Sequence, residues 1–141
     1  MSSQGLEVID HTVQLTHEWI KELAAKLGWA DRKQVLMLLR TTLAGVRDMI
    51  SPDEAAQLSA QLPLLVRGLF FEGWRPAQTH KRTRDDFVAR IEANLGRDQE
   101  YQGPEDISEV FRLLNARISK GEVNDVRNAL PADIRTLWPE P

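Results

Sequence analysis

Glu18 and Glu22 stand one helical turn apart, the spacing at which two carboxylates on one helix face can share acid–base work. Lys21 and Lys26 lie beside them, so a solvated, charge-paired face is the plainer reading. His11 and His17 are six residues apart, roughly opposite on a helix, and His80 stands alone in a connecting stretch. No Glu-x-x-His motif of the kind that builds a di-iron bundle is present. The sequence has no cysteine, which excludes disulfides, thiolate metal sites and a cysteine nucleophile. Ser51 and Ser119 carry hydroxyls, but they open Ser-Pro-Asp-Glu and Ser-Lys-Gly-Glu, where a serine caps a helix. Gly-x-Gly-x-x-Gly, Walker, His-Glu-x-x-His and Gly-x-Ser-x-Gly runs are all missing. The sequence therefore assigns no catalytic, cofactor-binding or metal-binding residue, and the expectation is a protein that is not an enzyme and uses no cofactor.

Two stretches have the chemistry of binding instead. Arg75, His80, Lys81, Arg82 and Arg84 fall within ten residues, and such cations meet phosphates while Trp74 offers a face for a base to stack on. Glu72, Asp85 and Asp86 dilute that patch. The chain as a whole carries 18 Lys+Arg against 21 Asp+Glu, a net charge of −3, which argues against a nucleic acid as the main partner. A charged, solvated connector is the plainer reading. The second stretch is Arg67, Phe71, Trp74 and Arg75, a large aromatic beside a guanidinium, as at binding hot spots. These four are the candidate interaction residues. The plainer reading here is that Trp74 covers a seam while Arg75 is solvated.

The elements that must position them come from an internal repeat. Leu27-Gly28 returns as Leu95-Gly96, Ile50-Ser51 as Ile118-Ser119 and Leu62-Pro63 as Leu130-Pro131, each 68 residues on. Glu54 maps onto Glu122, Arg67 onto Arg135 and Leu69 onto Leu137, with Trp19/Phe87, Leu23/Ile91, Leu43/Phe111 and Phe70/Trp138 as conservative swaps. Trp74 and Arg75 have no twin, because the second copy stops at Pro139-Glu140-Pro141.

The repeated apolar positions recur at helical spacing, and nothing reads as a strand. The fold class expected is all-α: a compact bundle of two pseudo-symmetric four-helix repeats within one domain, 1–141. Repeat one spans about 10–73 and repeat two about 78–141. Helices are expected near 12–27, 31–50, 52–61 and 63–71, then 81–95, 105–117, 120–129 and 131–138. Gly28 and Gly96 should take positive φ just past a helix end. Val35 to Leu39 is apolar all round, which places the second helix at the centre; its copy, flanked by Glu105, Asp106, Glu109 and Arg112, reads as peripheral. Gly103-Pro104 must delay the start of that copy.

The N-terminus lacks the basic flank and apolar run of a signal peptide, and Pro63, Arg67 and Gly68 interrupt the most apolar stretch, so a cytoplasmic protein with no membrane span is expected. The residues Thr16-His17-Glu18-Trp19-Ile20, Leu27-Gly28-Trp29, Gln61-Leu62-Pro63 and Arg67-Gly68-Leu69-Phe70-Phe71-Glu72-Gly73-Trp74-Arg75-Pro76 resemble the bacterial domain of unknown function 2267. Ala129 to Trp138 is similar to the way members of that family end their second unit. The resemblance implies a bacterial, all-helical protein and supplies no catalytic or binding residue. The function expected is a non-enzymatic module that binds a partner protein or its own copy. The alternatives are an enzyme or small-ligand binder using a cleft between the repeats, and a weak nucleic-acid binder through Arg75 to Arg84.

Overall fold

The computed structural model describes residues 5–78, 80–97 and 100–141. Among them are eight α-helices and no strand: α1 (Glu7–Leu27), α2 (Arg32–Arg47), α3 (Pro52–Ser59), α4 (Leu64–Phe71), α5 (Arg84–Leu95), α6 (Pro104–Arg117), α7 (Lys120–Ala129) and α8 (Ala132–Arg135), with a 3-10 turn at Pro76–Gln78. The protein is all-α. Local chemistry sets most boundaries. Asp31 caps α2 by accepting from the Lys33 amide, and Ser51, Thr83 and Ser119 accept from the amides of Glu54, Asp86 and Glu122. Thr83 is why α5 begins at Arg84, three residues later than the expected 81, leaving Lys81 and Arg82 outside the helix. Pro63 and Pro131 do not lie inside helices but immediately before α4 and α8.

The second helix of the first half and the last helix of the second end differently from expectation. α2 stops at Arg47, three residues short of 50, and α8 covers only four residues before turning at Thr136. α1 starts five residues early, at Glu7. Leu6, Val8, Ile9 and Val13 are exposed there, so no buried stripe in the sequence announced that first turn. Gly28 takes φ 73° and Gly96 φ 63°, as their positions past α1 and α5 require. Their ψ values, 24° and −127°, send the two chains on in different directions. After Gly28 the Trp29 side chain tucks into the core.

One hydrophobic core draws on both halves. α2 packs against α1, α4, α5 and α6, and from Gln34 to its end at Arg47 none of its residues is exposed. It is the central element. α6 begins at Pro104, later than α2 relative to the 68-residue spacing. It is less peripheral than its charged flanks suggested: Ile107, Val110, Phe111, Leu113 and Leu114 are fully buried against the core. Glu105 and Arg112 are exposed on its outer side.

Contacts across the halves are polar as well as apolar. Glu100 accepts from the Ala30 and Asp31 amides, so a residue of the second half closes the start of α2. Arg117 pairs with Glu22 at 2.8 Å, which gives Glu22 a specific partner rather than a merely solvated place beside Lys21. Gln61 donates to Ser119 Oγ and accepts from the Ser119 amide. Lys81 donates to the Met49 and Ala129 carbonyls at 3.0 and 2.6 Å. Each of these ties would be lost if the halves separated.

Candidate functional site

Arg47 organises the side of the protein where α2 meets α5. It sits in the last turn of α2 and is only 6% exposed. A guanidinium so placed has to satisfy its donors internally. Nε reaches Asp48 Oδ1 at 2.8 Å, and Nη1 donates to the Phe70 and Glu72 carbonyls at 2.9 and 2.8 Å. Arg47 thereby holds the end of α4 and fixes where the chain leaves it. In the second half Asn115 occupies the corresponding place and does related work. It donates to the Pro139 carbonyl and accepts from Trp138 Nε1 at 2.7 Å.

Beyond α4 the chain turns at Gly73 and passes over the end of α2, and the His80 amide bonds to the Asp48 carbonyl. This path brings Arg75, His80 and Arg82 to the same opening as Arg47 and Asp48, with Arg90 reaching in from α5. The resulting cleft holds about 350 Å³. A narrower cavity of about 80 Å³ adjoins it, with Gly45 and Phe87 in its walls, and shares Arg47, Asp48, Arg82 and Arg90 with it. Four guanidinium groups and an imidazole thus face one carboxylate, which Arg47 already engages. The Nε of Arg82 is buried and has no hydrogen-bond partner among the described residues. Such a donor calls for an acceptor, and an oxyanion supplies the strongest one.

The four candidate interaction residues do not form one patch. Arg67 donates from Nε to the Ser59 carbonyl at 2.9 Å and from Nη2 to the Ala60 carbonyl, so it closes the end of α3. Phe71 lies half-buried between the rings of Phe70 and Trp74, each 5.0 Å away. Trp74 is itself half-buried against the core. Only Arg75 lines the cleft. The basic stretch divides likewise: Arg75, His80 and Arg82 converge, Lys81 holds backbone carbonyls, and the Arg84 amide donates to Asp133.

Neither Arg47 nor Arg90 was given a binding role from the sequence. The signal for Arg47 was available, since Arg47-Asp48 is a charged pair closing a long apolar helix. For Arg90 there was none, because an arginine on the polar side of an amphipathic helix is ordinary.

No helix of the described residues is long and apolar enough to cross a membrane. Among curated proteins none matches the chain. Residues 16–137 match the family described as Uncharacterized conserved protein (DUF2267), which spans both halves of the helical bundle. The chain belongs to that family.

Proposed function

We propose that this protein is a non-enzymatic helical module that binds a partner protein through an oxyanionic group, a phosphorylated side chain in the first instance, seated in the cleft between α2 and α5. Arg82 carries the reading. Its buried, unpartnered Nε lies in the wall shared by the cleft and the inner cavity, amid Arg47, Arg75, Arg90 and His80. Guanidinium groups fit phosphate oxygens in pairs, and a site partly closed to water strengthens each bond. The reading includes a cytoplasmic location and a single domain made of two copies of one unit. The shared helix order and the matching serine caps at Ser51 and Ser119 support the latter.

The test is titration of the untagged chain with inorganic phosphate, and with a phosphoserine peptide against its serine counterpart, at low and high salt. Saturable binding of the phosphorylated peptide is expected, weaker in high salt. Arg82→Ala and Arg90→Ala should each weaken it about tenfold or more without loss of helix. If neither phosphate nor the peptide binds, or if the arginine variants bind as well as the parent, the reading fails. Tighter binding of a short single-stranded DNA than of the peptide would put the nucleic-acid alternative first.

A further inference from the structure

Helices α3 and α7 pack on one another across the two halves, and they begin alike. Ser51 and Ser119 cap them, and Glu54 and Glu122 take the third helical position of each. In a complete capping box these carboxylates would reach back to the serine amides. Here the Ser119 amide donates to Gln61 instead, and Oε2 of both glutamates is buried with no donor from any described residue outside the pair. The two carboxylates face each other. Asp125, one turn further along α7, joins them, and the ligand oxygens of all three lie within 4.8 Å of one another.

Glu122 is 7% exposed, Glu54 is half-buried and Asp125 is exposed, so the cluster is closed on one side and open to solvent on the other. None of the ion pairs among the described residues reaches any of the three. The positive ends of α3 and α7 offset part of the charge, but a half-charge at each end falls short of three carboxylates. Once the pair is deprotonated, buried oxygens with no donor from outside the cluster and no counter-charge, converging from two helices, are the donor set of a cation.

We propose that Glu54, Glu122 and Asp125 form a divalent-cation site that joins α3 to α7. Three carboxylates with neither imidazole nor thiolate select a hard ion such as Ca²⁺ or Mn²⁺. An oxygen-to-oxygen span of up to 4.8 Å suits two ligands across an ion at about 2.3–2.6 Å from each, the range of Ca²⁺. Water completes the shell from the side of Asp125. Crowded negative charge is also visible at Glu122, whose carboxyl is pushed up to about 7 by burial first, then by the charges of Glu54 and Asp125, and by the hydrogen bond it shares with Glu54.

The experiment uses the full chain with any affinity tag removed and metal stripped by chelator, held near pH 8. Mn²⁺ uptake is followed by electron paramagnetic resonance, with Ca²⁺ as competitor and thermal unfolding read in parallel. One Mn²⁺ per chain is expected, displaced by Ca²⁺, with a higher Tm for the loaded protein. Asp125→Asn, an exposed change, should weaken uptake about tenfold or more while leaving the ion-free Tm in place. Glu122→Gln should abolish uptake and keep the fold, since the amide relieves the crowded charge. Absence of saturable Mn²⁺ uptake, or uptake indifferent to Asp125→Asn, overturns the site. The same holds if Glu122→Gln stabilises a protein whose parent takes up no ion, which would assign the pair to a shared proton. Arg82→Ala should leave uptake unchanged, so this site and the anion cleft stand or fall separately.

Discussion

Gly45 of α2 and Phe87 of α5 meet with no room between them: a β-carbon on Gly45 would lie 2.8 Å from Phe87 Cε1. Phe87 is fully buried, so its ring can give way only toward the small cavity of about 80 Å³ beside it. Gly45→Ala should therefore push α5 away from α2. Overpacking of this kind costs about 1–3 kcal/mol, against a helix-propensity gain of up to about 1 kcal/mol. A net loss in urea denaturation is expected. Phe87→Leu should cost stability alone yet recover part of the Gly45→Ala loss in the double variant. A Gly45→Ala protein more stable than the parent would contradict the close approach.

Arg47→Met tests the anchor of α4. The change strands the Phe70 and Glu72 carbonyls and releases Asp48, and a loss of about 3 kcal/mol is expected. Asn115→Ala removes the partners of Trp138 Nε1 and the Pro139 carbonyl and should cost about 1–2 kcal/mol. Equilibrium denaturation of both gives the ranking. Equal losses would mean that the charge on Arg47 adds nothing at this position.

Leu39→Ala and Leu43→Ala remove side chains that are each 1% exposed on the enclosed helix α2. Each should cost roughly 2–5 kcal/mol. Ser51→Ala loses one cap bond, to the Glu54 amide, and should cost about 1 kcal/mol. A serine change that exceeds either leucine change in chemical denaturation would displace α2 from the centre of the protein.

The carboxylate pair sets a pH dependence in chelator. Burial, followed by Asp125, raises Glu54 above its ordinary 4.5, and Glu122 is raised from 4.5 to about 7. The folded protein thus holds more protons than the unfolded chain between those values. The stability this contributes is complete below about 4.5 and is lost as pH rises through about 7. The urea midpoint should fall between about pH 5 and pH 8, and Glu122→Gln should flatten that decline. A midpoint that rises over the window at Glu122's expense would reverse the sign argued here.

Helix type, helix order and the two serine caps were legible in the sequence because they are local, whereas the caps at Asp31 and Thr83 were not read. Ser51 and Ser119 behave as their neighbours dictate, and the apolar stripes of α1, α2, α5 and α6 bury as their spacing requires. The sites were less legible because they depend on which residues meet. Arg75 and Arg82 drew notice as cations, but their partner Arg90 lies on another helix and looks ordinary there. Glu54 and Glu122 were matched at equal positions and read as capping residues. Their facing each other follows only from how α3 lies on α7, which the period of neither helix encodes. Arg67 misled in the opposite direction, since the carbonyls that occupy it belong to the end of α3.

The enclosure of α2 has a consequence for how the chain is made. Two of the four helices that cover it, α5 and α6, lie later in the sequence. On the ribosome, a nascent chain ending near Gln78 would still present Leu39 and Leu43 on a helix whose remaining cover had yet to emerge. During that interval the finished first half is adhesive, and its safety depends on the elongation rate or on a chaperone. Premature stops in the second half should therefore yield insoluble protein rather than a small folded fragment.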